Sequence, residues 1–312
     1  MAEQTAAPDA SASQHDEIQH YATQSLMTDP GRFADRMLAV PGTLSAIREA
    51  ARQLVFHYRA DGDFAENGIE ASRICEIDIR YAEDMLARIF ELSDAPLTAE
   101  REPRQRMVGC CRDFTVLFLS MARAHGIPAR ARVGFGAYFQ PGWYLDHVVA
   151  EVWDAGEQRW RLVDPELAPD HADPSGRPLD SEDLTGAQFV TGPHAWLACR
   201  SGSADPERFV VDPGLDIPPT RGWWYLRHNL VLDLSALTRR EMVQWDGWGL
   251  TDVAEPTSAD LALLDDLAAA TAGDVTPELA ASWSEHEGLA VPPVVTSYSP
   301  AAEVPLQVTL RA

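Results

Sequence analysis

Apolar positions in the first half of the chain recur at helical spacing. Leu44, Ile47, Ala51, Leu54, Val55 and Tyr58 form one such set, and Ile74, Ile77, Met85, Leu86, Ile89 and Phe90 form a second. The pattern predicts two or three N-terminal helices. Residues 93–106, rich in Pro, Arg and Glu, are a predicted loop. After it, Phe114, Leu117, Phe118 and Met121 stand at i, i+3, i+4 and i+7, and Gly126 followed by Pro128 supplies a stop. A buried helix over 111–124 is expected, with Cys111 in its first turn. Short β-branched or alternating runs then occupy 129–135, 147–153 and 160–163, separated by Gly-containing or polar turns. Helices that lead into an antiparallel sheet make an α+β fold.

The remainder is patterned less strongly. A Pro/Asp-rich loop covers 165–178, and the following segment holds Trp196, Trp223, Trp224, Tyr225, Trp245 and Trp248, rings expected to pack against the sheet. Residues 259–270 predict one more helix, and 293–312 read as extended or loosely attached. The start is polar without an apolar period, so a mobile tail over 1–25 is expected, with the fold beginning near Met27. The chain therefore divides into 1–25, a helical region 26–105, a core with a tryptophan-rich trailing region 106–250, and a C-terminal extension 251–312.

Charge narrows the partners. Over 312 residues, 48 Asp and Glu face 25 Lys and Arg, a formal net charge of −23, and all the cations are Arg. Such a surface repels phosphate, which argues against nucleic acid or an anionic membrane as a partner. It also gives no indication of a broad contact with an acidic carrier protein. Four cysteines, Cys75, Cys110, Cys111 and Cys199, include an adjacent pair and no CxxC spacing, so neither a disulfide framework nor a zinc site is expected. Without a signal peptide or an apolar run long enough to span a bilayer, a cytoplasmic location is expected.

A cysteine in the first turn of a buried helix sits where unpaired backbone N–H groups and the helix dipole favour its thiolate. His147 opens an alternating strand and Asp164 closes the next one, so a thiol, an imidazole and a carboxylate can converge from one helix and two strands. The residues that carry this arrangement are Gly109-Cys110-Cys111-Arg112-Asp113-Phe114, Asp146-His147-Val148-Val149-Ala150-Glu151-Val152-Trp153 and Arg159-Trp160-Arg161-Leu162-Val163-Asp164-Pro165. In order and type they resemble the transglutaminase-like superfamily, with its papain-like core, and the likeness covers residues 107–165. The resemblance implies Cys111, not Cys110, as nucleophile, His147 as base and Asp164 as its orienting anion.

Other candidates have less behind them. Gln105 precedes Cys111 by the offset of an oxyanion glutamine in papain-like proteases. The backbone N–H of Cys111 is the stronger oxyanion donor. Arg112 and Asp113 are expected to cap and brace the helix, and His194 with Cys199 to be structural. Tyr138, Phe139, Trp143 and Tyr144, ahead of His147, are candidates to wall a substrate.

The expected chemistry is acyl transfer through a thioester, forming or exchanging an amide on a small acyl or peptide substrate with an amine acceptor. The resembled superfamily includes such enzymes in bacterial natural-product pathways. A cysteine amidase or peptidase using water, and a non-catalytic binding scaffold, are the alternatives. No cofactor or metal is expected, because neither a calcium loop nor a glycine-rich phosphate loop is present.

Overall fold

The computed structural model describes residues 17–312. Of the expected mobile tail, residues 1–16 lie outside the described part, whereas Tyr21 is buried and its hydroxyl donates to the Leu237 carbonyl at 2.9 Å. The fold thus begins earlier than Met27. Helix α1 (Leu44–Leu54) starts at Thr43, whose hydroxyl accepts the Ala46 N–H, and buries Ile47, Ala50, Ala51 and Leu54. The helical period expected to run on to Tyr58 breaks at Val55. There β1 (Val55–His57) finds a parallel partner in β2 (Met107–Gly109), and backbone pairing wins over helix continuation in a β-branched and aromatic run. Between them α2 (Ala82–Leu92) buries Met85, Leu86 and Ile89.

Helix α3 (Cys111–Ala124) follows β2 at once and is buried along nearly its whole length. Helix α1 packs on one side of it and the main sheet on another. That sheet contains β3 (Ala129–Gly136), β4 (Tyr144–Asp154), β5 (Arg159–Val163) and β6 (Phe189–Thr191) in the order β5-β4-β3-β6, all antiparallel. A fifth strand, β7 (Phe209–Val210), adds to β4 in parallel at Tyr144 and Leu145. The β3–β4 register sets Gly134 opposite His147, and the β3–β6 register sets it opposite Thr191. A Cβ at Gly134 would fall 2.2 Å from the Val190 carbonyl oxygen, so only glycine lets β6 close on β3 at this level.

Helices α4 (Gly192–Arg200) and α5 (Gly222–Leu237) pack on β3 and on each other. Trp196 and Trp248 join the main core, while Trp223 is exposed. Beyond β8 (Asp246–Gly247), α6 (Ser258–Thr271) begins with the reciprocal cap of Thr257 and Asp260, and α7 (Pro277–Ser284) follows. The segment expected to be loosely attached instead forms β9 (Val294–Ser297) and β10 (Leu306–Thr309), a three-stranded antiparallel sheet with β8. Val295 and Leu310 are buried, and the Ser299 hydroxyl donates to Asp78 at 2.8 Å. Val295 and Ser297 of β9 form the buried inner face that attaches the end.

Charge is used inside as well as outside. Asp233 on α5 is fully buried and takes Arg132 in a two-pronged pair at 3.0 and 2.9 Å, plus the Val133 N–H at 2.7 Å. Arg132 and Arg130 share Glu151 across the β3–β4 pair, at 2.9 and 2.7 Å. Removing one member strands a buried charge. Asp233→Ala is therefore expected to cost about 3–5 kcal/mol, measured as a fall in the urea midpoint.

Candidate active site

Gly109 is the hinge between β2 and the first turn of α3. A Cβ there would lie 2.7 Å from Asp113 Oδ2 and 2.8 Å from a Val55 methyl, so the chain can enter the helix between β1 and its own cap only without a side chain. Cys110 is the N-cap residue, in extended conformation, and its N–H donates to Asp113 Oδ2 at 2.9 Å as one half of a capping box. Its sulfur lies against the unpaired N–H groups of the first turn and hydrogen-bonds the neighbouring thiol. Arg112 ties the same turn down by donating to the carbonyls of Glu241, at 2.9 and 2.5 Å, and of Arg80, at 2.5 Å. Cys110, Arg112 and Asp113 are thus occupied in building the helix start. Cys111, the first helical residue, carries the sulfur that this construction leaves over.

His147 lies near the start of β4 and Asp164 immediately after β5. The two meet at 2.8 Å, His147 Nε2 to Asp164 Oδ2, and both are buried. The carboxylate can only accept, so Nε2 carries a proton, and in the neutral ring Nδ1 is left as a lone-pair acceptor. Asp164 also accepts the Tyr138 hydroxyl at 2.6 Å and the Glu166 N–H at 2.9 Å. Burial alone would raise its carboxyl, but the His147 charge and these donors outweigh it and hold the group below the ordinary carboxylate range. The imidazole responds in kind. Burial opposes its charge, yet Asp164 prevails and its pKa lies above the ordinary value.

Three rings enclose the imidazole, with Phe139, Tyr138 and Phe189 edge-on at 5.0, 6.2 and 6.4 Å. Of the four aromatic residues expected to wall a substrate, Tyr138 and Phe139 are therefore at the site, and Tyr138 is engaged with Asp164. The other two face elsewhere: Tyr144 stacks on Phe209 at 4.4 Å and Trp143 takes the Arg208 guanidinium at 4.8 Å. Gln105 is likewise turned to local work, because its side-chain oxygen accepts the Glu102 N–H at 3.1 Å in a short turn.

The site also contains groups that spacing did not single out. His57, at the end of β1, accepts the backbone N–H groups of Arg59 and Ala60, at 3.2 and 3.1 Å, through Nδ1. Burial, with the charges of His147 and Arg59, pushes its pKa down to about 3. Asp61 accepts the His57 N–H at 2.7 Å. Asp146, beside His147, receives Gln244 Nε2 at 3.2 Å and is pushed up to about 6 by burial, against its hydrogen bonds to Tyr225, Gln244 and Asn229. Glu166 is the most exceptional of these groups. Its Oε2 is buried without a hydrogen-bond partner among the described residues and stands 4.0 Å from the free Nδ1 of His147. Burial drives its carboxyl up to about 8, helped by the charges of Asp164 and Asp61 and opposed by His147. The only trace in the sequence is its position two residues after Asp164.

The Cys111 thiol is affected by several of these groups at once. Its bond to Cys110, its burial, and the charges of Asp146 and Glu166 all push its pKa well above that of a free cysteine. This differs from the thiolate expected at a helix start, and the main causes are the bond to Cys110 and burial, with the acidic groups around the sulfur adding to them. Among the described residues no group of three His, Cys, Asp or Glu side chains is placed to hold a metal ion, and no helix is long and apolar enough to cross a membrane. A cleft of about 600 Å³ lined by Tyr21, Arg130, Glu151, Trp160 and His194 contains none of Cys111, His147 and Asp164.

Residues 93–165 match the family model of the transglutaminase-like superfamily. A crystal structure described as "a Putative Cysteine Protease from Cytophaga hutchinsonii" aligns at 16% identity with a TM-score of 0.35, over 56% of this chain and 45% of that one. The chain thus spans less than half the length of that protein. A search of the curated proteins finds no match.

Two outcomes are expected from the electrostatics. In the free protein, alkylation of Cys111 by iodoacetamide, followed by peptide mass spectrometry, should still be rising at about pH 9 rather than levelling off in the acid range. Glu166 holds its proton more tightly folded than unfolded, so its contribution to stability is complete below the unfolded value of 4.5 and is lost as pH rises through about 8. Glu166→Gln should therefore raise the urea midpoint at pH 7.5 by the equivalent of about 4 kcal/mol, with the two proteins converging near pH 4.

Proposed function

We propose that this chain, whose residues 93–165 carry the core of the transglutaminase-like superfamily, is a cysteine-dependent acyl-transfer enzyme with Cys111, His147 and Asp164 as its reacting groups. The observation that carries the proposal is the bond between His147 Nε2 and Asp164, which leaves Nδ1 as a free base. The raised thiol pKa makes the resting sulfur a neutral thiol, and the neutral form of the imidazole is the one that can take its proton. When an acyl donor arrives, the Cys111 proton passes to Nδ1 and the sulfur attacks the carbonyl carbon. Asp164 stabilises the imidazolium through the Nε2 proton, and the Tyr138 hydroxyl and Glu166 N–H keep that carboxylate ionised and in place. The Cys111 backbone N–H, unpaired at the helix start, is the oxyanion donor. His147 then protonates the leaving group, which departs and leaves a thioester on Cys111. A second nucleophile resolves it, giving a new amide with an amine or an acid with water. The substrate class is a small acyl or peptide donor.

The test needs no natural substrate. p-Nitrophenyl acetate should release a burst of p-nitrophenolate equivalent to the enzyme present, with acetate recovered on the Cys111 peptide. Cys111→Ala should abolish the burst, and Asp164→Asn should slow it by about 10²–10⁴-fold through loss of the oriented base. Cys110→Ser keeps an acceptor at the N-cap and should retain the burst. A wild-type protein without a burst would favour the non-catalytic scaffold.

A further inference from the structure

The site contains one more proton acceptor than hydrolysis requires. Water attacking a thioester gives up a single proton, which His147 can take. An aliphatic amine at neutral pH arrives as an ammonium ion and must lose two protons before it becomes an amide nitrogen. Two acceptors lie close together here: His147 Nδ1, left free by Asp164 in the neutral ring, and Glu166 Oε2, 4.0 Å away and without a hydrogen-bond partner among the described residues. Atoms at that separation can both lie about 2.8 Å from a single nitrogen. The Glu166 backbone is fixed as well, because its N–H donates to Asp164 Oδ1 at 2.9 Å.

Building on the acyl-enzyme reading, we propose that Glu166 is a second catalytic base that binds the acyl acceptor as an ammonium ion and takes its first proton, which selects protonated primary amines as acceptors.

The step balances as follows. The ammonium pairs with the Glu166 carboxylate and transfers one proton to it, leaving a neutral amine between Glu166 and His147. The amine lone pair forms the C–N bond to the thioester carbon, and its second proton passes to Nδ1. The C–S bond breaks, and Cys111 departs as a thiolate beside the imidazolium. That pair returns to neutral thiol and imidazole, and Glu166 releases its proton to solvent. The net change is one thioester and one ammonium converted into one amide, one thiol and one proton.

The surroundings suit the task. Asp61 and Asp164 add negative charge near Glu166, and burial keeps that charge unscreened. A carboxyl titrating near 8 serves as both base and acid close to neutral pH.

The experiment compares two nucleophiles on the acetyl-enzyme formed with p-nitrophenyl acetate. At about pH 7.5 butylamine is almost wholly ammonium, whereas hydroxylamine is neutral and has only one proton to lose in attack. The ratio of their deacylation rates cancels any change in acylation. Glu166→Gln is expected to lower the butylamine-to-hydroxylamine ratio at least about tenfold, and Glu166→Asp, with the carboxylate one methylene further back, to give an intermediate ratio. A ratio unmoved by Glu166→Gln, or equal losses for both nucleophiles, would overturn the assignment while leaving the acyl-enzyme intact. If Glu166→Gln fails to form a burst, the Asp variant carries the comparison: a ratio below wild type supports the assignment and a wild-type ratio overturns it. No burst in the wild type removes the acyl-enzyme and this role together.

Discussion

A helix that begins inside a protein has four backbone N–H groups without partners, and α3 begins among buried residues. Everything near the candidate site follows from how that end is satisfied. Cys110 and Asp113 cap each other, Gly109 leaves space for the cap, and Arg112 anchors the turn to the segments around Arg80 and Glu241. Cys110, Arg112 and Asp113 spend their polar groups on the helix start. Cys111 is the residue in the sequence whose side chain the cap does not need, which leaves its sulfur free for the role proposed for it.

The second constraint is the strand register. β4 and β5 pair with Ala150 opposite Val163, so the start of one and the end of the other bring His147 and Asp164 to the same edge of the sheet. A shift of one residue would turn the side chains to opposite faces. Gly134, beside His147 on β3, admits β6 closely enough for Phe189 to pack edge-on against the imidazole. Backbone fit at one glycine therefore helps to fix the orientation of a ring on the neighbouring strand.

Acidic groups surround the site: Asp146, Asp164 and Glu166 all lie within electrostatic reach of the thiol or the imidazole. Such a ring disfavours a resting thiolate and favours cationic ligands, in keeping with an acidic chain whose cations are all Arg, many of them committed to internal pairs. A thiol that ionises only as a substrate approaches is also protected from adventitious oxidation.

Much of the local structure was legible in the sequence because it obeys short-range rules. The apolar period over α3 with its Gly126 and Pro128 stop, and the alternation in β3 and β4, needed only neighbours a few residues apart. The order of Cys111, His147 and Asp164 carried the family resemblance for the same reason: each motif is contiguous. What the sequence could not decide depends on residues far apart. Val55 to His57 left the helical period because Met107 to Gly109 offered a ladder. Tyr144 and Trp143 turned to Phe209 and Arg208, which no spacing rule connects to them. The raised thiol and the raised carboxyl of Glu166 arise from burial and from charges on separate elements. Burial and long-range charge exist only once the chain has folded, so the chemical state of the site was decided by the tertiary structure.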